Sequence, residues 1–204
     1  MIKYTLEKHS DNRGDLFVIE ENKRLKFNFK YYYLIDNLSF LNNKELPQSI
    51  FLVVLKGNII IEGENISVGE SVYSNKINRV TDVSKVFKGV LLSFYKLSKD
   101  NYSIKLDVPF DSKRIFFINN IPYGAIRGQH AHKIQEQYLV CILGSLEVEI
   151  KRNKNIKKVK LDIYNNLYLP PNYWIELKEF SKDSLLLVFS STIYLPNEYI
   201  QKTM

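Results

Sequence analysis

The sequence predicts an all-β chain, a barrel or sandwich of many short strands, and three observations predict it. Apolar residues recur in short alternating or continuous runs, the period of a strand rather than of a helix. Asn, Asp and Gly gather between those runs, where turns need them. No stretch of about 11 residues or more carries a convincing amphipathic helical pattern.

The first run, residues 16–19, follows Asp11-Asn12-Arg13-Gly14, a turn whose glycine supplies the tight conformation. Further runs lie at 31–35, 50–55, 59–61, 89–94, 114–118, 138–143, 146–150 and 185–189. Gly57 and Gly144 punctuate two of them. The lysine-rich residues 151–160 follow a strand and flank an Asn-rich turn, the pattern of a solvated hairpin, with a polyanion patch as the alternative. Near the C-terminus, Leu195-Pro196-Asn197-Glu198-Tyr199-Ile200 can start a short helix.

These runs occur twice in the same order. Residues 31–34 answer 114–117, residues 51–59 answer 138–146, and residues 90–92 answer 185–187, at a separation that grows where the second copy has longer loops. The expected division is a first unit at 1–104 and a second at 105–204, joined within 96–107. Between Asp36 and Phe51 the first copy carries no histidine.

A length of 204 residues with 45% hydrophobic composition is enough to bury a core. No apolar run approaches the roughly 18 residues that span a bilayer, and residues 1–9 turn polar too early for a secretory signal. The one cysteine, Cys141, sits in a strand-like apolar run and reads as core. Together these predict a cytoplasmic protein, with the sequons at Asn37 and Asn101 unglycosylated and no membrane partner. The net charge of +7 does not by itself imply nucleic acid, and a modest positive field also suits an acidic small substrate.

The chemistry concentrates in Arg127-Gly128-Gln129-His130-Ala131-His132-Lys133, which holds two of the three histidines. On a strand, residues two apart share a face about 6 to 7 Å apart, so His130 and His132 point the same way. With Gly124, Glu136 and Gly144 they form a frame that resembles the first signature motif of the cupins. In that motif two histidines and a glutamate line a small β-barrel, where they bind a metal or act directly on substrate.

Four further segments sharpen the resemblance. Residues 9–22 resemble the opening of the WxcM-like or FdtA-like sugar-nucleotide 3,4-ketoisomerases, and residues 113–118 resemble their next strand. Residues 127–137 are similar to their active-site segment, Leu169-Pro170-Pro171-Asn172-Tyr173-Trp174 to their Pro-Pro-x-x-Trp strand entry, and residues 194–200 to their C-terminal tyrosine segment. The chain departs from the family at Ile175, where a histidine is usual, and at Phe116, where a tyrosine is usual.

The resemblance implies a tandem cupin of two jelly-roll β-barrels, the first degenerate and the second catalytic, with the opening strands packed on the second. The implied substrate is a dTDP-linked 4-keto-6-deoxyhexose, whose ketone moves from C4 to C3 through an enediolate. His130 and His132 would divide the proton transfers and Arg127 would steady the oxyanion. Lys133, Gln137, Trp174, Tyr173, Arg13 and Arg114 are the expected substrate contacts. No cofactor and no metal are expected, because Ile175 removes the remaining imidazole a cupin metal site would use. A homodimer is one expected assembly, and a monomer holding an internal pseudo-dimer is the other. Structural alternatives stand beside the site residues: an inactive polar cluster for the histidines, an ordinary salt bridge for Arg127, mouth packing for Tyr173 and Trp174, and a turn network for Arg13. The alternative functions are a non-catalytic sugar-nucleotide-binding cupin and a metal-dependent isomerase or epimerase.

Overall fold

The computed structural model describes residues 1–20, 29–35, 44–77, 80–83, 87–93 and 103–201. Segment 36–43, the sequons at Asn37 and Asn101, and part of the expected junction lie outside the described residues. The predicted all-β class is observed: twenty strands and one 3₁₀ turn, Pro196–Glu198, account for the regular structure among the described residues. No helix among them is long and apolar enough to cross a membrane.

The early strands are β1 (Ile2–Thr5), β2 (Glu7–Asp11), β3 (Gly14–Glu20), β4 (Tyr31–Ile35) and β5 (Lys44–Lys56). Next come β6 (Asn58–Ile61), β7 (Glu64–Ser67), β8 (Glu70–Ile77), β9 (Val80–Val83), β10 (Lys88–Ser93) and β11 (Ser103–Leu106). The later strands are β12 (Arg114–Asn119), β13 (Arg127–His132), β14 (Gln137–Leu143), β15 (Ser145–Arg152) and β16 (Asn155–Asp162). The chain ends with β17 (Asn166–Leu169), β18 (Trp174–Lys178), β19 (Leu185–Ser190) and β20 (Tyr199–Ile200).

The chain divides into two compact units, Met1–Glu7 with Asn28–Val108 and Lys8–Phe27 with Pro109–Met204. The first unit contains a six-stranded sheet in the order β1-β8-β5-β10-β4-β11 and a three-stranded sheet in the order β7-β6-β9. β-Branched and large aliphatic residues favour these strands because they pack well on a pleated, buried face. Ile35, Leu52, Val54, Ile59, Ile61 and Ile66 are all fully buried in one cluster, and each contributes about 1.5–3 kcal/mol of burial.

The second unit contains sheets in the orders β17-β14-β19-β12-β3-β2 and β16-β15-β18-β13-β20. β3 runs antiparallel to β12, with Phe17 opposite Phe117 and the two rings stacked 4.7 Å apart. The β2–β3 turn is held by Asp11, whose carboxylate accepts from the Arg13 backbone N–H at 2.8 Å and from its guanidinium at 2.6 Å. Gly14, at φ +110°, is needed there, since a Cβ would stand 2.7 Å from the carbonyl oxygen of Asn119. Cys141 is buried in this unit's core, and burial pushes its thiol up to about 11.

The five-strand order β8-β5-β10-β4-β11 in the first unit matches β17-β14-β19-β12-β3 in the second. The position beside β4 is held by β11, which precedes β12 in the chain, whereas the position beside β12 is held by β3, which precedes β4.

Candidate active site

The histidine strand β13 breaks its own alternation. Gly128 and Gln129 both have positive φ, +77° and +61°, and the register against β18 shifts between Gly128 and His130. This is a β-bulge, one extra residue that re-aims the side chains after it. In a regular strand Arg127 and His130, an odd number of residues apart, would face opposite ways. With the bulge, Arg127, His130 and His132 line one cavity. Glycine is required at 128 because a Cβ there would lie 2.9 Å from the Ile175 carbonyl oxygen.

The cavity, of about 280 Å³, takes lining residues from both sheets of the second unit. Gln137 of β14, Arg114 and Phe116 of β12, and Leu16 of β3 contribute from one sheet, and β13, Ile175 of β18 and Tyr199 of β20 from the other. Arg13 reaches it from the β2–β3 turn.

The two imidazoles approach more closely than their spacing suggests. Their ring centroids are 4.7 Å apart, nearly perpendicular at 85°, and their Nε2 atoms face each other at 3.1 Å. Convergence of the rings across the strand, not the backbone repeat, sets that distance. The hydrogen-bond network assigns the tautomers. His130 Nδ1–H donates to the Gly128 carbonyl at 2.9 Å, so Nε2 is the bare nitrogen of the neutral ring. The Gln135 amide is oriented by Thr192, whose hydroxyl donates to Oε1 at 2.9 Å. Its NH₂ therefore donates to His132 Nε2 at 3.0 Å, and the Gln137 NH₂ stands 3.2 Å from the same atom. His132 consequently carries its proton on Nδ1. The Tyr199 ring covers both imidazoles, 4.8 Å from each.

Burial lowers the pKa of His130, opposed by its hydrogen bond to Gly128. Burial, His130 and Arg114 together hold His132 down to about 3. Two cations 3.1 Å apart would repel strongly, whereas two neutral rings in these tautomers set lone pair against lone pair. Beyond the proton each ring carries on Nδ1, the pair therefore holds at most one more, between the Nε2 atoms. Arg127 donates from Nε to the Arg13 carbonyl at 2.9 Å and has the Asp11 carboxylate 3.7 Å away. Arg114 pairs with Glu20 at 3.2 Å and lies over the Phe116 and Tyr194 rings.

The structure thus brings together His130, His132, Arg127, Gln137, Arg13 and Arg114. Lys133 is exposed and donates from Nζ to the Asn197 carbonyl at 2.7 Å. Trp174 is buried on the other face of β18, with Lys151 Nζ 4.4 Å over its ring. Tyr173 lines a separate groove beside Arg152, whose guanidinium lies 4.8 Å over its ring, and touches the histidine site only through a recess of about 10 Å³ beside His132. Glu136, the acidic member of the sequence frame, accepts a hydrogen bond from the Tyr168 hydroxyl instead. The residues present do not fit a divalent ion. Glu136 is engaged elsewhere, and Ile175 stands opposite His130, which leaves the two imidazoles without a third protein ligand. No cluster of three or more His, Cys, Asp or Glu side chains placed for a metal occurs among the described residues.

Sequence reasoning passes over Tyr199, Gln135 and Glu198. Glu198 is 5% exposed and lies 3.8 Å from His132 Nδ1. The tail segment carries a signal for the first and last of these, but only β20, which pairs His132 with Tyr199, places them.

A family model described as FdtA: WxcM-like, C-terminal matches residues 96–204. A TDP-4-oxo-6-deoxy-alpha-D-glucose-3,4-oxoisomerase of Aneurinibacillus thermoaerophilus is 36% identical over 97 residues, covering 47% of this chain and 70% of that protein. Among solved structures, the sugar 3,4-ketoisomerase QdtA of Thermoanaerobacterium thermosaccharolyticum, crystallised with TDP, is 29% identical, covering 52% of this chain and 82% of that one at a TM-score of 0.48. WlaRA of Campylobacter jejuni, a TDP-fucose-3,4-ketoisomerase, is 34% identical, covering 52% of this chain and 83% of that one at a TM-score of 0.48.

Proposed function

The chain belongs to the FdtA family, WxcM-like, C-terminal, and from that membership we propose that it is a sugar-nucleotide 3,4-ketoisomerase. Its reaction converts dTDP-4-keto-6-deoxyglucose to a dTDP-3-keto-6-deoxyhexose. The observation that carries this reading is the imidazole pair, Nε2 to Nε2 at 3.1 Å, in a cavity also lined by three arginines.

The chemistry needs a base for the C3 proton, which the C4 ketone acidifies, and a donor to return a proton at C4. Removing the C3 proton leaves an enediolate across C3 and C4. The C3 hydroxyl proton passes to the C4 oxygen, so that C3 becomes the ketone and C4 a hydroxyl-bearing carbon, and C4 takes a proton on carbon. A shared-proton imidazole pair serves both carbon centres without outside acid, since a proton accepted at one Nε2 is within reach of the other. Arg127 is the reading's oxyanion partner, half tethered by the Arg13 carbonyl and so held in one orientation. Arg114 and Arg13 suit the diphosphate, and Gln137 a sugar hydroxyl. Lys133, Tyr173 and Trp174 lie off this cavity and stay in the reading only as outer contacts.

The same reading carries the finer architecture of two jelly-roll cupins, 1–104 degenerate and 105–204 catalytic, in a cytoplasmic setting. The reciprocal placing of β3 beside β12 and β11 beside β4 supports a monomer that mimics a strand-exchanged dimer. Incubation with dTDP-4-keto-6-deoxyglucose in deuterated water, followed by NMR, tests the function. The expected result is a 3-keto product with deuterium at C4 and exchange at C3 of recovered substrate. Tight binding with neither product nor exchange would replace this reading with the non-catalytic binding cupin.

A further inference from the structure

Glu198 is built into the site more firmly than a chain tail requires. It ends the 3₁₀ turn Pro196–Glu198 and immediately precedes Tyr199, which pairs with His132. Its Oε1 accepts the Ile134 backbone N–H at 2.8 Å and the Gln135 backbone N–H as well. Its own carbonyl accepts from Lys133 N–H at 3.1 Å, and the preceding carbonyl, of Asn197, accepts from Lys133 Nζ. These four hydrogen bonds fix the turn and its carboxylate against the three residues after the histidine strand.

The carboxylate's share of that fixing uses one oxygen and leaves the other bare. Oε2 is buried and has no hydrogen-bond partner, and His132 Nδ1 is also buried and without one. The two orphans face each other at 3.8 Å, in side chains only 5% and 7% exposed. Buried polar atoms are nearly always paired, so two mutually facing orphans 3.8 Å apart mark a contact that reaches hydrogen-bond distance by closing about 0.6–1 Å. Catalytic hydrogen bonds are often long in the ligand-free protein and tighten when substrate binds. The other side of the ring agrees, because the Gln135 amide, oriented by Thr192, donates to Nε2 and leaves the ring proton only Nδ1.

Resting on the ketoisomerase reading, we infer that Glu198 is a positioning residue: its Oε2 accepts the Nδ1–H of His132 and holds that ring in the tautomer whose bare Nε2 is turned toward His130 and the cavity. A carboxylate behind an imidazole fixes ring orientation and stabilises the protonated ring as it forms, so it acts on turnover rather than on substrate binding.

The test uses Glu198→Gln in the full chain. The amide oxygen can still accept the two backbone N–H groups, but the NH₂ then points at Nδ1 and disfavours a proton there. Two readouts are taken: kcat and KM, and long-range ¹H–¹⁵N correlation spectra of the imidazoles, which are few enough to assign by substitution. The expected wild-type spectrum shows His132 protonated at Nδ1. In Glu198→Gln it shifts to protonation at Nε2, and kcat falls by about 10²-fold with KM nearly unchanged. Wild-type protonation at Nε2 overturns the inference, as does a folded Glu198→Gln protein in which either the tautomer or kcat is unmoved. The spectra need no substrate. If the wild type proves inactive, the tautomer alone decides the positioning role while the ketoisomerase reading falls separately.

Discussion

The two units use matching strand orders for opposite ends. In the first, the buried polar side chains among the described residues are serines alone, Ser71, Ser74 and Ser93, set in an aliphatic core. In the second, the buried polar set includes Arg114, Arg127, His132, Gln135, Gln137 and Glu198. Among the described residues, one unit's buried polar groups are hydroxyls in an aliphatic core, and the other's line a cavity. The difference teaches that the sheet framework does not make a site. A pocket arises where inward positions give up aliphatic volume for polar and charged groups held in place by neighbouring side chains and backbone.

The strongest way to break this contrast is to silence the lined unit. His130→Asn or His132→Asn should each lower kcat by roughly 10²–10⁴-fold with unchanged circular dichroism. Normal turnover and normal C3 exchange in both variants would remove this cavity as the site. Next in size is a change in the first unit: Leu52→Ala, in its aliphatic cluster, should cost about 2–5 kcal/mol in urea unfolding while kcat of the folded protein holds. A collapse of kcat without loss of stability would mean that the first unit does chemistry after all.

A matched glycine pair sharpens the comparison. At Gly63, φ +84° in the first unit, an added Cβ would have nothing within 4 Å, whereas at Gly128 it would meet the Ile175 carbonyl at 2.9 Å. Gly63→Ala should cost only backbone strain, about 1–2 kcal/mol, and leave kcat alone. Gly128→Ala should cost about 1–3 kcal/mol and lower kcat as well, by displacing His130 from Arg127. Equal kcat in the two variants would count against the bulge's role.

The pH dependence of stability is a smaller effect. Both His130 and His132 have pKa values below the ordinary 6.5 in the folded protein, so the unfolded chain binds more protons below that pH. Their stabilising contribution is complete above about pH 6.5 and is lost as pH falls, by at most about 1.4 kcal/mol per pH unit for each ring. The lowered carboxyls of Asp11, Asp15 and Glu70 add to the loss only at more acid pH, below their ordinary 3.8 to 4.5. Calorimetry between pH 5 and pH 7 should show the slope, and His132→Asn should flatten it. A slope untouched by that substitution would sink the assignment. The smallest expected effect is none at all: dialysis against a chelator should leave turnover unchanged, and loss of turnover together with one bound metal per chain would overturn the reading that Ile175 and the engaged Glu136 support.

Much of this is legible in the sequence because strands advertise themselves by period. The run at 138–143, its match at 51–55 and the same-face histidines all follow from alternation. Alternation also accounts for residues that stand off the cavity. Trp174 and Tyr173 have the aromatic chemistry of substrate contacts, yet Ile175 and Leu177 are the inward residues of β18, so parity sends Trp174 to the opposite face, against Lys151. Glu198 is illegible for another reason. Its partner His132 is distant in sequence, and only the pairing of β20 with β13 joins them. Arg127 belongs to the cavity as its neighbours in the motif suggest, but parity without the bulge points it the wrong way.

That bulge also has a consequence for inheritance and engineering. Along a two-beat strand, a single-residue insertion beside Gln129 is a phase slip: it would leave the arginine and both histidines of the motif present while separating the guanidinium from the imidazoles. A point substitution in the same segment tests one side chain, whereas that insertion tests the spacing itself. A graft of this motif onto a regular strand would fail in the same way, retaining the letters and losing the wall they share.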